Sequence, residues 1–366
     1  MGTAIGLSMI VKNEAHVVER CLRSVKPLLS HWLIVDTGSS DETMNVIRRA
    51  MDGVPGEVVS RPWRDFAANR TEALELARAH CEYLLIIDAD DTLDVPPSFV
   101  MPPLGADAYM LRVAYGATTY YRAHLLKASL PWRYVGVVHE AVACDVPYQQ
   151  VVLEGPVYRI GGGGARSRDP ERFAKDAEVL SEALAREPAN TRYAFYLAQS
   201  YRDADMPVEA LAAYERRALM GGWNEEITVA LLQAALLREK LGHARDLVWA
   251  AFLKAFRACP TRAEALTELA RYCRLGGDYA LARVFAQSAS EIARPANGLF
   301  LDESVYAWRA LDELAVAAFY EGRHDVAAAL GRRLLTEGRL PPEERARVSK
   351  NYELLPEAVR AAAEGR

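Results

Sequence analysis

The sequence predicts a mixed α/β domain over residues 1–160 followed by an all-α domain of helical hairpins over residues 169–366. Three observations carry that expectation. Between residues 4 and 91, short apolar runs alternate with segments of helical spacing, the pattern of strands that feed crossover helices into a parallel sheet. Beyond the four glycines at 161–164 the apolar pattern is helical throughout. A chain of 366 residues is also longer than one ordinary core organises.

Residues 4–11 form an apolar run that ends in Lys12-Asn13-Glu14, and Ala15, Val18, Leu22 and Val25 then recur at helical spacing. Residues 32–35 repeat the arrangement. They close in Asp36-Thr37-Gly38-Ser39-Ser40-Asp41, after which 42–51 reads as a helix with a Ser or Asp cap. Residues 58–60 make a third short strand and 65–80 a helix. Residues 83–87 are short and apolar enough for a strand buried on both faces, and Asp88-Ala89-Asp90-Asp91 follows at its C-terminal end. In a parallel sheet the loops after the strands line one crevice, so the loops with Asn13 and Glu14, with Asp36, and with Asp88 and Asp90 are expected to converge.

From 108 to 159 the pattern changes to β-like pieces at 109–113, 118–122 and 135–142, the last containing His139-Glu140. These extend the sheet with mixed strands and supply a further wall. The four glycines lack a following Lys-Ser/Thr and do not make a phosphate-binding loop, so 161–168 is read as a linker. In the helical half, Leu197-Ala198 with Tyr201, Ala210 and Tyr214 is echoed by Leu269-Ala270 with Gly277, Tyr279 and Ala282, about two periods of a 34-residue helical-hairpin repeat away. Leu314-Ala315, Tyr320, Gly322 and Ala327 give a third echo, and 296–304 reads as an insertion.

The net charge of −5 argues against a general nucleic-acid or anionic-membrane binder. Five cysteines without a CxxC pair indicate reduced thiols. No signal-like or membrane-spanning segment is visible, and Gly6 stands where a myristoylated Met1-Gly2 start prefers Ser or Thr, so a cytoplasmic protein is expected. No GxGxxG follows the first strand, which disfavours a dinucleotide oxidoreductase.

Three carboxylates clustered at a strand end repel one another. A hard divalent ion held by oxygen ligands, Mg2+ or Mn2+, relieves that repulsion. The competing reading is a polar turn that caps the next helix.

Taken together, Met9-Ile10-Val11-Lys12-Asn13-Glu14, Val35-Asp36-Thr37-Gly38-Ser39-Ser40-Asp41, Asn69-Arg70, Asp88-Ala89-Asp90-Asp91 and Val138-His139-Glu140 resemble the motifs of a family 2 glycosyltransferase with the Rossmann-like mixed sheet of the GT-A fold. The helical half resembles the tetratricopeptide arrays fused to some bacterial members. The resemblance implies a nucleotide-sugar donor, a UDP-sugar foremost, a divalent metal, and inversion without a covalent intermediate. It implies donor binding by Val11, Asn13, Glu14, Asp36, Asn69, Arg70, Asp88 and Ala89, with Asp36 accepting from the base. Asp90 is then the direct metal ligand, His139 completes the metal site, and Asp88 holds the ribose or a metal-bound water. Glu140 and Asp91 are the two candidates for the base that deprotonates an acceptor hydroxyl or thiol. The acceptor is expected to be a peptide, protein or glycan, selected by the helical half, which also offers a homodimer surface. Two other readings stand beside this one: glycosylation of modified DNA, and a nucleotide-binding interaction protein without turnover.

Overall fold

A computed structural model describes residues 3–115, 118–296, 298–337 and 339–364. Met1 and Gly2, on which the start-signal reading rests, and Asn297 in the expected insertion lie outside the described residues. The chain divides into two compact units, Met1–Ala183 and Leu184–Arg366.

The first unit is built on an eight-stranded mixed sheet. Its strands are β1 (Ile5–Val11), β2 (His31–Asp36), β3 (Gly56–Ser60), β4 (Tyr83–Ile86), β5 (Thr92–Asp94), β6 (Ala108–Tyr115), β7 (Thr118–Lys127) and β10 (Gln150–Arg159), in the order β3-β2-β1-β4-β7-β6-β10-β5. β3, β2, β1 and β4 run parallel, and β7 is the first antiparallel neighbour. The chain steps from β1 to β2 on one side and returns to β4 on the other, which opens a crevice beyond the C-terminal ends of β1 and β4.

Helices α1 (Val18–Val25), α2 (Thr43–Ala50) and α3 (Phe66–Ala77) cover the sheet. α3 starts where the sequence places it because Asp65 caps it, its Oδ1 accepting the Ala68 N–H at 2.7 Å. Leu7, Met9, Val18, Leu22 and Leu85 fill one face of the sheet, and Leu33, Val35, Leu74, Leu84 and Leu126 the other. Both faces of β1 and β4 are therefore buried, which is why these strands read as unbroken apolar runs.

The expected β-run at 135–142 is corrected. β8 (Trp132–Val135) and β9 (Ala141–Cys144) form a separate two-stranded hairpin, and residues 136–140 are its loop. Gly136 at φ 111° and His139 at φ 53° turn the chain there. The hairpin packs on α3, with the Tyr134 N–H donating to Thr71 Oγ1 at 2.9 Å.

The expected linker at 161–168 is a docked segment, and the two units part at Ala183, inside α4 (Arg172–Arg186). The second unit contains α5 (Thr191–Asp203), α6 (Pro207–Leu219), α7 (Asn224–Lys240), α8 (Arg245–Ala258), α9 (Glu264–Leu275), α10 (Tyr279–Glu291), α11 (Ala310–Tyr320), α12 (His324–Thr336), α13 (Pro342–Glu353) and α14 (Glu357–Glu364). Consecutive helices pack as hairpins from α5 to α13. Asp205, Gly242, Gly277 and Gly322 each follow a helix in the left-handed conformation. At these turns the N–H groups of Met206, His243, Asp278 and Arg323 reach back to the carbonyls of Tyr201, Arg238, Cys273 and Ala318. One C-cap geometry is thus reused at four turns, which explains why the repeat shows in the sequence as spaced glycines and small residues.

Among the described residues no helix is long and apolar enough to cross a membrane. The five cysteines form no disulfide.

Candidate active site

The β1 and β2 loops are locked together. Asn13 adopts φ 58°, donates its N–H to Ser39 Oγ at 2.9 Å and accepts the Ser40 N–H on Oδ1 at 2.8 Å. The Val11 carbonyl accepts from both the N–H and the hydroxyl of Thr37. Asp36, 3 % exposed, folds its own loop by accepting the N–H groups of Gly38 and Ser39 on Oδ2, each at 3.1 Å. Its Oδ1 is buried and has no hydrogen-bond partner among the described residues. A buried carboxylate oxygen without a donor is costly, and an N–H or O–H donor is what it lacks.

Beyond β4 the three aspartates have different surroundings. Asp91 is buried beneath Ala89, also buried, and accepts from the Tyr158 hydroxyl at 2.5 Å and the Gly161 N–H at 2.9 Å. Burial pushes its pKa up to about 6. Asp90 is half-buried: Oδ2 accepts the Gly164 N–H at 3.1 Å, and its backbone carbonyl accepts from Arg20 at 2.7 Å. Glu14 accepts the Ala165 N–H on Oε1 at 3.0 Å, while its Oε2 is buried without a partner. Burial, with Asp90 adding to it, raises the Glu14 pKa.

Residues 161–165 are therefore a strap whose Gly161, Gly164 and Ala165 N–H groups donate to Asp91, Asp90 and Glu14 in turn. Side chains are excluded there: a Cβ on Gly161 would lie 2.3 Å from the Asp90 carbonyl oxygen, and one on Gly164 2.7 Å from Asp90 Oδ2.

Asp88 faces α3. Its Oδ1 lies 2.6 Å from Arg70 Nη2, while Arg70 Nε lies 2.8 Å from Glu140 Oε1 without hydrogen-bond geometry. Burial raises the Asp88 pKa, but the charge and hydrogen bond of Arg70, with Arg122 and His124 adding to them, together outweigh it, so Asp88 sits below its ordinary range. Glu140 is the opposite case, since burial outweighs Arg70 and raises its pKa. Asn69 is fully buried and holds the loop before α3, accepting the Arg64 N–H and donating to the Pro62 carbonyl. His139 is exposed in the β8–β9 loop beside Glu140.

Sequence reasoning did not find Arg20, Arg122, His124, Tyr134 or Tyr158. Each meets the site through sheet register or helix packing, and no local pattern announces it.

Among the described residues no three His, Cys, Asp or Glu side chains converge into a metal cage. Asp90 nevertheless keeps Oδ1 without a hydrogen-bond donor among the described residues, and Asp88 stands two residues earlier in the same turn. That donor set suits an oxygen-seeking ion that is completed by phosphates.

Residues 7–96 match the family model described as Glycosyl transferase family 2. The first unit carries a family 2 glycosyltransferase domain. A TPR repeat-containing protein of Synechococcus elongatus is 36 % identical to the chain over 90 residues, covering 24 % of the chain and 21 % of that protein. The SPbeta prophage-derived glycosyltransferase SunS of Bacillus subtilis is 23 % identical over 221 residues, covering 57 % of the chain and 51 % of SunS. The chain thus spans between a fifth and a half of these relatives' lengths. Among solved structures, S. aureus TarS 1-349 in complex with UDP-GlcNAc aligns with a TM-score of 0.36 at 11 % identity, over 69 % of the chain and 91 % of TarS 1-349. The family match covers the β1, β2 and β4 loops of the glycosyltransferase domain; β7, the β8–β9 hairpin and the glycine strap lie beyond it.

Proposed function

We propose that the glycosyltransferase domain moves a sugar from a nucleoside-diphosphate sugar, UDP foremost, to an acceptor hydroxyl or thiol with inversion at the anomeric carbon. The observation that carries this reading is Asp36 Oδ1, a buried acceptor without a donor beside the carboxylate crevice. A uracil N–H satisfies it. Arg70 orients Asp88, and Asp88 in turn takes the ribose hydroxyls.

Glu140 is the preferred base. Burial raises its pKa, which strengthens it as a proton acceptor, and it sits on a loop that faces Asp88 across Arg70. Asp91 is already held by Tyr158 and Gly161, which fits it to shaping the strap. As the acceptor oxygen or sulfur attacks the anomeric carbon, its proton passes to Glu140 and the bond from that carbon to the diphosphate oxygen breaks. Asp90, with His139, would hold Mn2+ or Mg2+, which when bound neutralises charge on the diphosphate. The helical unit, on this reading, selects a peptide, protein or glycan acceptor.

Calorimetry tests the core of the proposal. UDP should bind the wild type, and Asp36→Ala should lose about 1.5–3 kcal/mol, one charge-assisted hydrogen bond. Unchanged affinity in that variant refutes the assignment of Asp36.

A further inference from the structure

A diphosphate entering this crevice meets Glu14, Asp36, Asp88, Asp90 and Glu140, and Arg70 is already shared between two of them. The site therefore needs another cation on the donor's path. β7 supplies one. It pairs antiparallel with β4 through Tyr83↔Lys127, Leu84↔Leu126 and Leu85↔Leu125, and continuing that register sets Arg122 level with Asp88. Arg122 is exposed, yet its guanidinium is fixed at its root.

Arg122 Nε donates to His124 Nε2 at 3.0 Å, and the guanidinium lies over the Tyr158 ring, 5.4 Å from its centroid. His124 is itself immobile: it is 1 % exposed, stacks on Tyr158 at 3.9 Å, and places Nδ1 2.9 Å from the Ile86 carbonyl. Accepting at Nε2 while facing a carbonyl at Nδ1 requires the neutral tautomer with the proton on Nδ1. Burial and then Arg122 push its pKa down to about 3, consistent with that state. The two terminal amino groups of Arg122 have no hydrogen-bond or ion-pair partner among the described residues. Two donors on one held plane are the arrangement that receives phosphate oxygens.

We infer that Arg122 binds the donor's diphosphate and stabilises it as the leaving group, with His124 and Tyr158 as positioning residues. This rests on the nucleotide-sugar reading above. Because Arg122 is exposed and outside the core, its substitution leaves the fold intact, which a melting curve checks.

The test is calorimetry of the full chain as wild type, Arg122→Gln and Arg122→Lys, each with UDP, UMP and uridine in the presence of Mn2+. Arg122→Gln should weaken UDP about tenfold or more while uridine changes less than about twofold, and Arg122→Lys should restore part of the loss. UDP affinity unchanged in Arg122→Gln overturns the inference, as does an equal loss for all three ligands, which would mark a merely structural arginine. A rise in acceptor KM with UDP affinity intact overturns it too, by assigning Arg122 to an acceptor anion. Failure of the wild type to bind any of the three instead refutes the nucleotide reading itself, and this inference with it.

Discussion

In the helical unit Arg217 has no exposed surface, and its Nε and Nη2 both donate to Glu226 Oε2, at 3.1 and 2.8 Å. Arg262, 4 % exposed, is likewise shared by Glu225 and Glu264, and it also donates to the Leu299 carbonyl, pinning the segment that the sequence reads as an insertion. Arg271, Arg274, Arg283, Arg309 and Arg347 all pair with acids of another helix or its end. The glycosyltransferase domain does the reverse. It gathers carboxylates at one end of the sheet and leaves Asp36 Oδ1 and Glu14 Oε2 buried without donors. The buried arginines of the helical unit pair with acids and join helices, whereas in the other unit two buried carboxylate oxygens lack a donor among the described residues.

That contrast breaks first at Asp90. Asp90→Asn should cut turnover by about 10³-fold or more, because the variant loses the carboxylate that would hold the ion neutralising the leaving diphosphate, while the melting temperature stays near that of the wild type. Full activity of the variant, or of the wild type in chelator, would end the proposed metal role. Glu140→Gln comes next. It removes the base and keeps the shape, so transfer should fall roughly 10²–10³-fold with UDP affinity retained. If Asp91→Asn alone abolishes transfer and Glu140→Gln does not, the two carboxylates exchange roles.

The buried ion pairs of the helical unit should answer in stability alone. Glu226→Gln strands a buried guanidinium and should cost roughly 3 kcal/mol in denaturant unfolding. UDP affinity should not change. A fall in UDP affinity without a fall in stability would mean that charge in this unit also serves the donor.

The same contrast governs what the sequence could show. The convergence of the Asn13, Asp36 and Asp88 loops is legible because strand–loop–helix alternation is local and the parallel order then dictates where loops gather. The repeat is legible because four helix ends use one left-handed cap. The partners of the carboxylates are not, since Tyr158 reaches Asp91 across 67 residues of chain and Gly164 reaches Asp90 across 74. Four glycines read as a flexible joint, yet the N–H groups of Gly161 and Gly164 dock on acids that only the fold brings near. A dissection at Gly163 would cut that strap and remove the N–H groups that hold Asp90 and Glu14. Residues 135–142 mislead for a related reason: apolar alternation continues through a turn made by the positive φ of Gly136 and His139.

The smallest expected effect lies at the other end of the same sheet, where charge is neither paired nor held open. His31, the first residue of β2, stacks on His80 at 4.3 Å with the rings 11° from parallel. Burial, then His80, lowers the His31 pKa, and Glu57 on the adjacent strand partly offsets them. A depressed histidine pKa means that the unfolded chain binds the proton more readily below about pH 6.5. This part of the stability is therefore present above pH 6.5 and is lost as the pH falls. His80→Gln removes the like-charged neighbour and keeps a planar polar group against the ring. The wild type should lose more melting temperature than His80→Gln between pH 7 and pH 5.5, by about 1 °C on the scale of a domain this size. UDP affinity should follow the same pH course in both proteins, because the pair sits beyond the N-terminal ends of the strands whose C-terminal ends carry the site. Parallel melting curves would show that the stacked pair carries no charge repulsion. A change in the pH dependence of UDP binding would show that the two ends of the sheet are coupled, and the division of the domain into an open and a closed end would fail.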